Sequence, residues 1–72
     1  MAYANRMDEL LVARMRAERL ENGDVASKLG VSASKLRRIR NGQSEMSLSE
    51  AHCMASLLGI SLDRLYLVAP HH

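Results

Sequence analysis

The sequence predicts a compact, all-α domain of five short helices. Apolar residues recur at spacings of three or four along most of the chain, and no run alternates between apolar and polar residues as a half-buried strand would. Glycines at positions 30, 42 and 59 divide the helical stretches. The 72 residues leave room for one small domain, expected over residues 1–70. His71 and His72 then form a tail, either native or left from a purification tag.

The first helix is predicted to run from residue 6 or 7 to residue 19 or 20. Asn5 precedes it as a suitable N-cap, and Asp8 lies in its first turn, where the helix dipole favours a negative charge. Four apolar side chains recur at helical spacing and should form its buried face: Met7, Leu10, Leu11 and Met15.

Two short helices joined by a glycine turn are predicted within residues 22–41, NGDVASKLGVSASKLRRIRN. They should cover residues 23–29 and 33–40, with Asn22 and Ser32 as N-caps. Gly30 lies where a chain leaving a helix often adopts the left-handed conformation. Ala26 is small enough for two helices to cross closely beside it. The apolar faces contain Val25, Ala26 and Leu29 in the first helix, and Leu36 and Ile39 in the second.

The last two helices are predicted over residues 48–58 and 62–67. Ser47 and Glu50 have the spacing of a capping box at the start of the first of them, and Gly59 should end it. Ser61 can cap the short final helix, and Pro70 should close the ordered chain. The fourth helix should have an apolar face made of Leu48, Ala51, Met54, Ala55 and Leu58.

Several classes of protein are excluded by composition. A single cysteine, Cys53, allows no internal disulfide and suits the reducing cytoplasm. No apolar run approaches the roughly 18 residues that span a membrane, and residues 1–10 lack the hydrophobic core of a signal peptide. We therefore expect a cytoplasmic protein that does not enter membranes.

Neither metal binding nor catalysis is expected, although His52 and Cys53 are adjacent. Neighbouring side chains on a helix point about 100° apart, so the two cannot form a compact ligand pair alone. A Cys–His catalytic pair also needs a third group and a pocket, for which so short a chain offers little room. We expect no enzyme activity, no metal and no cofactor.

Positive charge is concentrated within residues 25–44. The whole chain has a net charge of only +2, yet this segment contains five cations and no acid, so the cations should be uncompensated. A basic run is ordinarily a solvated face, but here it coincides with the second helix of a predicted helix-turn-helix, the element that enters the major groove of DNA. Double-stranded DNA is thus the expected partner, with a location at the nucleoid. The five cations are Lys28, Lys35, Arg37, Arg38 and Arg40.

Two segments carry a resemblance to a known family. LGVSASKLRRIRNG (residues 29–42) and SLSEAHCMASLLGISLDRL (residues 47–65) resemble the lambda-repressor-like, Cro/CI-type (XRE) helix-turn-helix family. The similarity extends over about residues 11–65. It implies a five-helix DNA-binding domain and a transcriptional regulator, most commonly a phage or bacterial repressor that binds an inverted-repeat operator as a homodimer.

The chain departs from the family at several places, among them a shorter turn between helices 1 and 2 and Met46 where the family often has proline before helix 4, and two of the departures concern predicted contacts. The family often has glutamine at the start of helix 2, where this chain has the shorter Asn22. The family also commonly pairs a helix 1 arginine with a helix 3 glutamate, but here Arg40 occupies the helix 3 position. If Arg16 takes the helix 1 position, the link should be absent or rebuilt with Glu18 or Glu21.

Contacts with bases are expected from one face of the third helix. An arginine can donate two parallel hydrogen bonds to guanine, which makes Arg37 and Arg38 the strongest candidates. A phosphate contact is the alternative for Arg38. The family resemblance implies that Ala33, Ser34 and Arg37 face the floor of the groove, so the predicted base-contacting set is Ala33, Ser34, Arg37 and Arg38.

Contacts with phosphates are expected around this face. Backbone N–H groups at the start of the second helix and around residues 42–43 should contribute, because helix N-termini attract anions. Capping alone is the alternative role for Asn22 and Ser32, and exposure to solvent the alternative for Lys35. The predicted phosphate-binding set is Asn22, Ser32, Lys35, Asn41 and Gln43.

The C-terminal segment has more apolar residues than a five-helix core can bury, and this predicts a homodimer. The candidate interface is Leu62, Leu65, Tyr66, Leu67 and Val68. Two other functions remain open: the antitoxin of a toxin–antitoxin pair, and a protein-interaction module that has lost DNA binding. Acidic residues on the third helix would favour the module, whereas its arginines favour DNA.

Overall fold

Five α-helices make up the part of the chain that the structure, a computed structural model, describes: residues 5–70. The helices are α1 (Arg6–Glu18), α2 (Asn22–Leu29), α3 (Ala33–Arg40), α4 (Leu48–Leu58) and α5 (Leu62–Val68). No strand occurs within these residues, which confirms the all-α prediction. The predicted tail at residues 71–72 and the first four residues of the predicted domain lie outside this range.

Helix starts follow the predicted caps, with one exception. The side chains of Asn5, Ser32, Ser47 and Ser61 each accept a hydrogen bond from the backbone N–H three residues on, as N-caps do. Asn22 was the predicted cap of α2, and this is wrong. The helix already begins at Asn22, because the carboxylate of Asp24 accepts a hydrogen bond (2.8 Å) from the N–H of Glu21, which is the N-cap.

The end of α1 also differs from the prediction. The helix ends at Glu18, and Arg19 adopts the left-handed conformation with φ = 55°. The N–H of Leu20 then bonds to the carbonyl of Met15 (2.8 Å), which closes the helix and turns the half-buried Leu20 toward the core. A side chain in this conformation costs roughly 1–2 kcal/mol. This tight reversal lets α2 start three residues after Arg19.

The core lies between all five helices. Helix α2 packs against α3 and α4, while α1 packs against α4 and α5, and α4 packs against α5. Ala26 is buried in α2, as expected for a residue beside a close helix contact. The buried apolar residues are Met7, Leu11, Val25, Ala26, Leu29, Leu36, Ile39, Met54, Ala55, Leu58 and Leu65.

Two predicted apolar positions have the opposite environment from the one expected. Leu48 belongs to the predicted buried face of α4 but is 73% exposed, because it lies in the first helical turn and none of the described elements covers it. Leu65 was predicted at a dimer interface but is only 2% exposed, because it is the residue of α5 that is fully packed into the core. Leu65 is thus a core residue and is unavailable to a partner.

The C-terminal end of the described chain returns to the end of α3. Gly42 follows α3 with φ = 76°, and a Cβ atom built on it would lie 3.0 Å from Cβ of Pro70. Glycine is thus required at position 42 both for its conformation and for this close approach. The contact ties the segment after α5 to the loop after α3. None of the helices within residues 5–70 is both long and apolar enough to span a bilayer.

Candidate nucleic-acid interface

Helix α3 has one buried face and one exposed basic face. Leu36 and Ile39 are each only 1% exposed and anchor the helix in the core. The four residues predicted to contact bases are all exposed and occupy adjacent positions around the opposite side: Ala33, Ser34, Arg37 and Arg38. The structure therefore brings this predicted set together on one surface.

The five cations of residues 25–44 are not all uncompensated, so that expectation is wrong. Lys35 forms an ion pair with Glu50 of α4 (Nζ to Oε2, 3.0 Å), and Arg40 forms one with Asp8 of α1. Both acids lie outside the segment, and so its composition gave no sign of them. Within residues 5–70, Arg37 and Arg38 form no ion pair.

Arg40 joins the start of α1, the start of α2 and the end of α3. Its guanidinium donates to both carboxylate oxygens of Asp8 and to Oδ1 of Asn22. Its carbonyl accepts a hydrogen bond from Nδ2 of Asn5 (2.8 Å). The side chains of Arg40 and Asp8 are 20% and 26% exposed, so water only partly screens the pair.

This network corrects the expected link between α1 and α3. The link exists with the acid on α1 and the arginine on α3, and neither Arg16 nor Glu21 takes part in it. Glu18 instead pairs with Arg14 within α1 (3.0 Å). Asp8 was recognised in the sequence only as a favourable first-turn acid. Its second role depends on a contact between residues 32 positions apart, which helical periodicity cannot reveal.

The start of α2 and the exposed side of α3 enclose a small cavity of about 80 Å³. Because Asn22 accepts from Arg40 through Oδ1, its Nδ2 group remains available to donate. At the start of α2 the N–H of Asp24 already donates to the carbonyl of Glu21 (3.0 Å), which leaves the N–H groups of Asn22 and Gly23 without an intrahelical partner. The cavity is lined by Asn22, Ala33, Arg37, Arg40 and Asn41. This donor-rich lining suits an anion.

The loop after α3 offers side chains rather than backbone groups. The N–H of Gly42 donates to the carbonyl of Ile39 (3.1 Å), and the N–H of Gln43 donates to that of Arg38 (2.8 Å). The expectation that these N–H groups bind phosphate is therefore wrong, because the turn already uses them. The side chains of Asn41 and Gln43 are exposed.

The two predicted phosphate-binding residues at the start of α3 are both engaged within the protein. Oγ of Ser32 accepts from the N–H of Lys35 (3.1 Å) and so caps the helix, while its hydroxyl hydrogen can still be donated. The ammonium group of Lys35 is held by Glu50. A hydrogen bond from the N–H of Ser47, together with this ammonium group, lowers the pKa of Glu50 below its ordinary value of 4.5.

The structure leaves only part of the predicted dimer surface exposed and adds one exposed apolar residue beside it. Tyr66 and Leu67 are 71% and 77% exposed, whereas Leu62 and Val68 are half-buried against the core. The exposed Leu48 lies with Tyr66 and Leu62 along a groove of about 480 Å³ between α4, α5 and the loop before α4. The sequence analysis missed Leu48 as a surface residue, and only the burial pattern identifies it.

His52 and Cys53 lie on a different side of the domain. His52 is exposed and Cys53 is a half-buried free thiol. Both line an open groove with Arg14 and Glu18 of α1 and Lys28 of α2. Within residues 5–70, no three His, Cys, Asp or Glu side chains lie together in a way that could hold a metal ion.

No family model matches the chain, and no curated protein or solved structure matches it significantly.

Proposed function

We propose that this protein is a sequence-specific transcriptional regulator that inserts α3 into the major groove of double-stranded DNA. The observation that carries the proposal is the exposed face of α3, where Arg37 and Arg38 stand beside the small residues Ala33 and Ser34. Helix α3 contains no acidic residue. The resemblance of residues 29–42 and 47–65 to lambda-repressor-like proteins supports the same function and favours a cytoplasmic repressor.

The chemistry of this face suits contacts with base edges. A guanidinium group can donate two parallel hydrogen bonds to O6 and N7 of guanine, and each such pair discriminates by about 1–3 kcal/mol. The short side chains of Ala33 and Ser34 leave room for the helix to approach the bases. The methyl group of Ala33 can contact a thymine methyl, and the hydroxyl of Ser34 can donate or accept.

The proposal is also supported by the way in which α3 is fixed. Leu36 and Ile39 anchor it in the core, Ser32 caps its start, and Asn5 and Arg40 tie its end to α1 and α2. A helix held at both ends loses little freedom on binding, so more of the contact energy appears as affinity.

Phosphate contacts should orient the domain on the duplex. The best-placed groups are Nδ2 of Asn22 and the side chain of Asn41, which line the cavity between α2 and α3, together with the N–H groups of Asn22 and Gly23 at the start of α2. Ser32 and Gln43 extend this set along the two ends of α3. Such contacts position the protein but carry no sequence information.

A homodimer is the proposed binding form. One recognition helix covers only a few base pairs, so a second half-site about one helical turn away supplies the affinity of an operator. Tyr66 and Leu67 present the apolar surface for pairing across a two-fold axis, and Leu48 extends it. Because Pro70 packs on Gly42 directly after α3, a contact through this region would fix the separation of the two recognition helices.

Selection of bound sequences from a random duplex pool tests the proposal. We expect enrichment of an inverted repeat. Affinity for it should fall roughly 100-fold between about 50 and 200 mM salt if the four arginines left unpaired on α3 in the dimer, Arg37 and Arg38 of each protomer, displace counterions from the duplex. Arg37→Gln should lose the preference at one position of each half-site. Lys28→Gln is the matched control, because it removes the same charge from a residue that lines the groove beside His52. Equal effects of the two variants, or no enrichment, would refute the proposal.

A further inference from the structure

The contact between α3 and α4 places an acid beside the proposed DNA-binding face. Oε2 of Glu50 accepts from Nζ of Lys35 at 3.0 Å, while Oε1 accepts from the N–H of Ser47 at 2.9 Å. Both carboxylate oxygens are therefore engaged. The side chain of Glu50 is only 12% exposed, and that of Lys35 is 36% exposed.

Glu50 is fixed independently of Lys35. It is the third residue of α4, and its carboxylate closes the capping box with Ser47, whose Oγ accepts in return from the N–H of Glu50 (3.2 Å). The start of a helix also favours a negative charge. The acid therefore stays in place as part of the cap, and Lys35 is the flexible partner.

Without Glu50, Lys35 would be expected to reach a phosphate. It lies one helical turn before Arg38, on the flank of the exposed face of α3, and its long side chain ends in a mobile cation. We infer that Glu50 is a positioning residue that withholds Lys35 from the DNA backbone and so limits the sequence-independent affinity of the domain. This inference rests on the proposed DNA-binding function.

Two physical arguments support this assignment. If Lys35 moved to a phosphate, it would leave the carboxylate of Glu50 without its cation at the edge of a polyanion, with only the N–H of Ser47 bonded to it. Sequence-independent binding depends almost entirely on the number of phosphates that cations neutralise. One withheld cation on each protomer therefore lowers affinity for all duplexes alike, without altering which bases Arg37 and Arg38 contact.

The test measures binding of Glu50→Gln, Lys35→Gln and the double variant to a mixed-sequence 24-base-pair duplex and to the selected operator. Glutamine at position 50 keeps an oxygen for the N–H of Ser47 and suits a capping box, so the change removes the charge but not the cap. Thermal unfolding checks that each variant is folded. The readout is the slope of log affinity against log salt, which a purely structural role would not change.

We expect Glu50→Gln to bind both duplexes several-fold more tightly and to steepen the slope by about 0.9 per protomer. The double variant should lose this gain, and Lys35→Gln alone should leave the slope unchanged. The inference is overturned if Glu50→Gln leaves the slope unchanged or if the gain persists in the double variant. It is also overturned if Lys35→Gln alone lowers the slope, since Lys35 would then already bind phosphate. Wild-type protein that binds neither duplex overturns the proposed function and this inference with it.

Discussion

The ion pair between Asp8 and Arg40 should contribute measurably to stability, and Asp8→Asn tests this contribution. The change keeps the shape of the side chain but removes the charge that faces Arg40. Removing one partner of an exposed pair costs about 0–1 kcal/mol, and of a buried pair about 3–5 kcal/mol. Because the two side chains are 20% and 26% exposed, we expect a loss between these limits, about 1–2 kcal/mol.

A loss of this size is large for so short a chain. A domain of this size unfolds with roughly 4–8 °C of change in Tm per kcal/mol, so Asp8→Asn should lower Tm by about 4–16 °C. Thermal and urea denaturation followed by circular dichroism measure it.

Glu9→Gln is the matched control, because Glu9 also lies in the first turn of α1 but pairs only weakly with Arg6, at 4.0 Å between exposed side chains. It corrects for the loss of a charge at the helix start. If the two variants unfold at the same temperature, Asp8 acts only through the helix dipole and the proposed role of Arg40 in fixing α3 is wrong.

Four further predictions concern other parts of the structure. Arg37→Ala or Arg38→Ala should relax the preference at a defined operator position and cost about 1–3 kcal/mol per half-site, as measured with operators changed one base pair at a time. Ala26→Leu should lower the free energy of unfolding by about 1–3 kcal/mol, because the added bulk would force α2 and α3 apart; an unchanged urea midpoint would contradict this. Because the pKa of Glu50 is lowered in the folded state, its charge stabilises the fold at pH values above 4.5, and this stabilisation is lost as the pH falls through the folded-state pKa. The difference in unfolding free energy between wild type and Glu50→Gln should therefore shrink over that acidic range. Leu67→Asp should leave the helical content intact but sediment as a monomer. This monomer should lose affinity for the full inverted repeat far more than for a half-site, and a variant that stays dimeric would place the interface elsewhere.

Features that depend on neighbours in sequence were predicted well. The caps at Asn5, Ser32 and Ser47 each act on a backbone N–H three residues away, so the sequence contains both partners. The predicted N-cap of α2 was wrong although it too depends on neighbours in sequence, because either Asn22 or Glu21 can occupy the N-cap position. Asp24 determines which of the two is the N-cap. Its carboxylate accepts a hydrogen bond from the N–H of Glu21, so Glu21 is the N-cap and Asn22 is the first helical residue.

Features that depend on tertiary contacts were not predictable in the same way. In a helix as short as α5, adjacent apolar residues point in several directions, and periodicity alone did not distinguish the buried Leu65 from the exposed Leu67. Leu48 continues the apolar spacing of α4 beyond the point where other helices cover it. Exposure in both cases depends on where neighbouring helices end.

The ion pairs change what the charge of the basic segment means for the proposed mechanism. If all five cations faced DNA, binding would be dominated by phosphate contacts and would discriminate weakly among sequences. Instead, acids on α1 and α4 engage Arg40 and Lys35, and Lys28 lines a separate groove. The cations left exposed on α3 are Arg37 and Arg38, the two placed beside the small residues that admit close approach to bases. The five cations in the sequence imply binding dominated by phosphate contacts. The arrangement in the structure instead favours a protein whose affinity depends more on contacts with bases.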